Sequence, residues 1–131
     1  MDALELTARR EALGLDQATL AGLLEWEVGA VVDCETATRD IPTLVGAKLD
    51  QLELARDTIA GLLEDTIPGD LPTYATDAAF WNAWPDMQGI PATIHRVAAA
   101  DALRSAKWAG IHARIVLAPL HTSEQDPART R

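Results

Sequence analysis

Along the first half of the chain, apolar positions recur at the three- and four-residue spacing of helices. "ALELTARREAL" (residues 3–13) is rich in strong helix formers and stops at Gly14, a natural helix end. Asp16 is placed to cap a second helix, "QATLAGLL", in which Leu20, Leu23 and Leu24 make an inward stripe. After a turn at Glu25–Trp26 the pattern predicts a short third helix, about 28–36. Pro42, in "TRDIP", opens a fourth helix that runs to about Glu64. On it Val45, Leu49, Leu52, Ile59 and Leu63 share one face, interrupted only by Arg56. A helix of this length exceeds what a small domain needs. It either packs as plain core, links two halves, or pairs with a copy of itself.

The pattern then changes. "DTIPGDLP" (65–72) carries two prolines and a glycine and reads as a hinge. "TYA" predicts a short strand, and Thr76 or Asp77 caps a helix, "AAFWNAW", ended by Pro85. "DMQG" is a turn, and Pro91 opens an alanine-rich helix to about Ala109, closed by Gly110. In "IHARIVLA", Ile111, Ala113, Ile115 and Leu117 alternate with His112, Arg114 and Val116, as in a half-buried strand. The expected fold is therefore mainly α: a four-helix unit over 1–64, the hinge 65–72, a small β-α-α-β unit over 73–118, and a polar tail 119–131. Two strands are too few for a sheet alone, so they must lean on the helices or on a second subunit.

Charge sharpens this division. Residues 1–66 hold five basic and fourteen acidic side chains, so the net charge of −9 resides there, while residues 67–131 hold six of each. Such a first half repels a polyanion unless its few arginines gather on one face. No apolar run approaches a membrane span, and "MDALELTARR" has neither the basic start nor the apolar core of an export signal. The single cysteine, Cys34, excludes an internal disulfide and reads as a small buried hydrophobe. The expected setting is cytoplasmic.

Residues 10–42, "REALGLDQATLAGLLEWEVGAVVDCETATRDIP", resemble without a gap the helix-turn-helix of the Xre/Cro/C1 repressor family. The matching points are Arg10, "ALGL", Gln17, Leu20–Ala21, Leu24, Val31, Glu35 and "R-x-I-P" at 39–42. The stretches "TYATDAAFW" (73–81), "HR" (95–96) and "ARIV" (113–116) are similar to a C-terminal domain of unknown function found after such modules in actinobacterial and phage proteins. They also look related to the dimerising half of anti-CRISPR-associated repressors.

The resemblance implies a dimeric, cytoplasmic regulator whose third helix lies in the major groove of an operator. The positions matching groove-facing residues are Glu27, Val28, Gly29, Ala30, Val32 and Asp33, where the family usually has Ser, Arg, Ser, Thr, Ser and Arg. None of these six side chains is a hydrogen-bond donor, which base readout by Arg, Asn or Gln requires. Glu27 also stands where a helix N-terminus would otherwise favour phosphate. Glu25 takes a turn position where glycine is common, and Trp26 replaces a small aliphatic residue. Gln17 matches a residue that helps hold phosphate and the recognition helix, Arg39 matches a backbone-contacting position, and Arg10 matches a structural partner of Glu35. Under the dimer reading the interface draws on Leu49, Leu52, Ile59, Leu63, Trp81, Trp84, Ile111 and Ile115.

Two functions follow. One is an operator-binding homodimer that turns Gln17, the 27–33 helix and Arg39 toward double-stranded DNA, with at most apolar contacts from Val28, Ala30 and Val32 to thymine methyls. The other keeps the scaffold and docks another regulatory protein through Trp26, Glu27, Val28 and Val32. His95, His112 and His121 lack metal-ligand spacing, Ser105 and Ser123 lie in no nucleophile motif, and no phosphate-binding glycine loop occurs. Neither an enzyme, nor a metal or other cofactor, nor a small-molecule substrate, nor a membrane partner is expected. Trp81 and Trp84, three apart, read as core or dimer anchors.

Overall fold

The computed structural model describes residues 1–119. Within them the chain is mainly α, with six α-helices and a two-stranded parallel sheet near the C-terminus. It divides into two compact units, Met1–Ile59 and the part from Ala60 onward, a division that falls inside the fourth helix.

The first two helices begin where short polar side chains satisfy free backbone N–H groups. Asp2 and Asp16 accept from Glu5 and Thr19, each at 2.7 Å, and so start α1 (Ala3–Ala12) and α2 (Gln17–Leu24). α3 (Val28–Glu35) begins after Glu27, whose side chain makes no capping bond. α4 (Thr43–Glu64) follows Pro42. The ends of α1, α2 and α3 share one device: a left-handed residue lets the next N–H reach a carbonyl five residues back. The bonds are Leu15 to Arg10 at 3.3 Å, Trp26 to Ala21 at 2.8 Å and Thr38 to Asp33 at 2.9 Å.

The left-handed residues are Gly14, Glu25 and Ala37, with φ of 73°, 59° and 63°. Glycine takes this conformation freely, whereas a Cβ there costs about 1–2 kcal/mol. Ala37→Gly is therefore expected to stabilise the protein by about 0.5–1 kcal/mol in urea unfolding, the remainder being offset by the looser unfolded chain. A loss of stability would show that this turn carries no strain.

In the first unit Leu6, Leu13, Leu20, Val31, Val45, Leu49, Leu52 and Ile59 are buried almost completely, as is Cys34. The expectation that Leu49, Leu52, Ile59 and Leu63 form a dimer surface is corrected: each is at most 4% exposed within the chain itself, so a second copy cannot reach them. Arg56, the interruption in that stripe, bends aside to pair with Asp57 at 3.2 Å.

The second unit runs β1 (Gly69–Thr73), α5 (Asp77–Ala83), a 3-10 turn (Pro85–Met87), α6 (Ala92–Trp108) and β2 (Ala113–Leu117). β1 occupies the stretch expected as hinge, four residues ahead of the expected start at Thr73. Leu71 and Thr73 supply the buried side chains, and Pro72 takes a position that does not face the paired strand. Tyr74 and Ala75 lie beyond the strand. Thr76 caps α5 through Ala79 N–H at 3.1 Å, and Asp77 accepts the first N–H of α6, Ala92, at 2.7 Å. α6 contacts both strands, and its inward face is made largely of Ala98, Ala99, Ala102 and Ala106, all fully buried. Side chains this small let a helix lie close against the sheet.

β1 and β2 pair in parallel, Leu71 opposite Ile115 and Thr73 opposite Leu117. Leu71 and Thr73 are buried while Asp70 is exposed, so odd-numbered sheet positions turn toward α6. On the opposite face Asp70 and Arg114 form an ion pair at 3.0 Å. Ile111 lies before the strand, not in it. The expected inward set is only half covered, with Ile115 and Leu117 both exposed.

His95 is fully buried on α6. The rings of Tyr74, Phe80 and Trp84 stand roughly edge-on around it at 5.0, 5.2 and 5.4 Å. Neither imidazole nitrogen has a hydrogen-bond partner among the described residues.

Candidate functional site

The residues expected to meet a ligand lie on the α2–α3 segment and the loop after it. α3 is anchored from below. Arg10 Nε donates to Glu35 Oε2 at 2.6 Å, Nη2 to Oε1 at 3.1 Å, and Nη1 to the Leu15 carbonyl at 2.7 Å. Burial raises the cost of a charge on Glu35, but the bonds from Arg10 and Gln17 outweigh it and hold the carboxyl below its usual range. The pairing of Arg10 with Glu35 thus fixes α3 on α1, and Val31 and Cys34 face inward.

That anchoring leaves the other side of α3 open. Glu27, Val28, Gly29 and Asp33 are exposed, and Ala30 and Val32 are half-buried. Val28 is 46% exposed, and a Cβ on Gly29 would meet nothing within 4 Å. The open face is an apolar strip with carboxylates at Glu25, Glu27 and Asp33, and it contains no donor side chain.

Two expected contacts lie partly inside the fold. Gln17 is half-buried, and its amide donates to Glu35 Oε1 at 2.9 Å, so it is spent on holding α3. Trp26 is half-buried with the Arg39 guanidinium over its ring, 4.7 Å from the centroid. This cation–π contact gathers Trp26, Arg39 and the start of α3 into one patch.

The remaining cations of the first unit decide the electrostatics. Arg9 donates to Glu53 at 2.7 and 2.9 Å and to Asp50 at 2.8 Å, which raises its pKa further. Arg10 is held by Glu35 and Arg56 by Asp57. Among the described residues, Arg39 and Lys48 are the cations of this unit with no carboxylate in ion-pair range. Lys48 instead donates to Gln51 at 3.1 Å. Glu5, one turn away, also pairs with Arg9 at 3.4 Å, but Asp50 and Glu53 lie 41 and 44 residues away, which is why spacing along the sequence did not reveal them.

Of the expected dimer residues in the second unit, Trp81 and Trp84 are half-buried and spend their indole N–H groups internally, on the Ile90 carbonyl at 2.7 Å and the Tyr74 hydroxyl at 3.3 Å. Ile111 and Ile115 are exposed, at 40% and 39%. His112 is exposed, while His121 and Ser123 lie outside the described residues. Among the described residues no cluster of three His, Cys, Asp or Glu side chains is placed to hold a metal ion, and no helix is long and apolar enough to cross a membrane. Compared with known proteins, the chain matches no protein-family model and no curated sequence.

Proposed function

We propose that this chain is a homodimeric, regulator-like protein in which a helix-turn-helix of Xre/Cro/C1 type docks another protein instead of reading an operator. The observation that carries the reading is the open face of α3: Glu27, Val28, Gly29, Ala30, Val32 and Asp33 carry no donor side chain for a base edge or phosphate. Of the two flanking residues expected to meet DNA, Gln17 is engaged by Glu35, and Arg39 stacks over the Trp26 ring, which leaves a single guanidinium beside this face. The chemistry fits a partner with an apolar centre, to receive Val28, Val32 and Trp26, and a basic rim to meet Glu25, Glu27 and Asp33.

One feature favours the operator reading. Arg39 is exposed, and the first N–H groups of α3 have no side-chain cap, as at helix ends that meet a phosphate. Specific and non-specific DNA binding both need several phosphate contacts, and two unpaired cations in a strongly acidic unit supply too few. Titration of duplex DNA at low salt is expected to give no saturable binding. Saturable binding that Arg39→Ala weakens would favour the operator.

A further inference from the structure

The two outer edges of the small sheet differ. Gly69 N–H bonds to the His112 carbonyl at 3.1 Å and Ala118 N–H to the Thr73 carbonyl at 2.7 Å. With the parallel register, residues 69, 71 and 73 of β1 therefore turn their backbone groups toward β2, and Asp70 and Pro72 turn theirs outward. Along β2 the outward positions are Ala113, Ile115 and Leu117. Proline has no N–H to donate, so the β1 edge is blunted by Pro72 and charged by Asp70. The β2 edge has neither defence: three residues in alternation present both N–H and C=O, with no proline and no charge.

The side chains of those same three residues lie on the α6 face, yet Ile115 is 39% and Leu117 65% exposed. The approach to β2 leaves Ile111 and Trp108 exposed as well, Trp108 at 86%. A two-stranded parallel sheet is too small to stand alone, and its apolar layer stops short on the β2 side.

We propose that the β2 edge is the seam between two copies of this chain, paired antiparallel about a two-fold axis at Ile115 into one four-stranded sheet. This deepens the homodimer reading above by assigning its surface. In this register Ile115 faces Ile115 of the second copy, and Ala113 faces Leu117. Each outward residue then meets an outward residue, forming about six backbone hydrogen bonds. The same parity keeps the apolar side chains of both copies on the α6 face, so each completes the layer of the other. Charge permits it. Arg114, the charged residue of β2, lies on the opposite face beside Asp70 and would stand opposite Val116 of the second copy. The part from Ala60 onward holds eight acids and six bases, a net −2 against −7 for Met1–Ile59, so the second units repel each other far less than the acidic first units do.

The test uses the full chain in sedimentation and in cross-linking. Wild type is expected to sediment as a dimer at micromolar concentration. Ile115→Lys, which sets two ammonium groups against each other, is expected to weaken association at least about 100-fold with helix content unchanged. Ile115→Cys is expected to give a covalent dimer on mild oxidation, because hydrogen-bonded antiparallel partners place their Cα atoms about 5.5 Å apart, within disulfide reach. Buried Cys34 in the wild type and Leu54→Cys on the exposed side of α4 are expected to give none. A dimer that survives Ile115→Lys and cross-links through Leu54→Cys would overturn the seam while leaving the homodimer intact. A monomer at about 100 µM would overturn both.

Discussion

Replacing Arg10 with alanine is expected to lower the unfolding free energy by about 3–5 kcal/mol, the range for breaking a buried ion pair from one side. The side chains of Arg10 and Glu35 are 9% and 6% exposed, so solvent screens the pair little. Without the guanidinium, Glu35 loses its charged partner while keeping the Gln17 amide, and the Leu15 carbonyl loses its side-chain donor at the turn that ends α1. Either the carboxylate stays buried and under-bonded, or α3 tilts off α1 to reach water. Glu35→Gln, which removes the charge but keeps the shape, is expected to cost less. Urea unfolding followed by circular dichroism separates these outcomes, and a loss below about 1 kcal/mol for Arg10→Ala would mean that water already screens the pair. On acidification the Glu35 contribution is complete above its unfolded pKa and fades as pH falls through its lower folded value.

The second large effect is expected at higher pH and comes from His95. Burial, reinforced by the positive charge of Arg96, lowers its pKa from 6.5 to about 4. The unfolded chain therefore takes up a proton that the folded chain refuses between those two values. Stability is at its full value above pH 6.5, falls as pH drops below it, and levels off near pH 4, with a total loss of roughly 3 kcal/mol. His95→Leu removes both the titration and the two unpartnered nitrogens. It is expected to flatten the profile between pH 7 and 5 without lowering stability at pH 7. That window lies above most carboxylate titration, so a slope that persists in His95→Leu would place its source elsewhere.

Where these groups sit was legible only in part. Asp16, Gly14, Pro42, Pro91 and Gly110 mark helix ends in the sequence because capping and turn chemistry are local, and the helices begin and end close to those marks. The apolar stripe of α4 is equally plain, but periodicity says only that a face is covered, not by what. Leu49, Leu52, Ile59 and Leu63 proved to be core. β1 was misplaced because Pro72 argues against a strand until its outward orientation is known, and that orientation depends on pairing 44 residues away. The missing donors on α3 could be read directly from residue types. The loss of Gln17 to Glu35 and of Arg9 to Glu53 could not, since each needs the tertiary fold.

The central claim is that the α3 face meets protein and not DNA. The most direct measurement is fluorescence anisotropy of labelled duplexes, one random and one from the protein's own promoter, titrated with the full chain at about 50 mM salt and again at 200 mM, concentrations over which an operator-binding protein loses about 10³–10⁵ in affinity. The predicted result is no saturable rise at either salt, with Arg39→Ala indistinguishable from wild type. Tight binding at low salt that collapses at the higher concentration and weakens in Arg39→Ala would contradict the account.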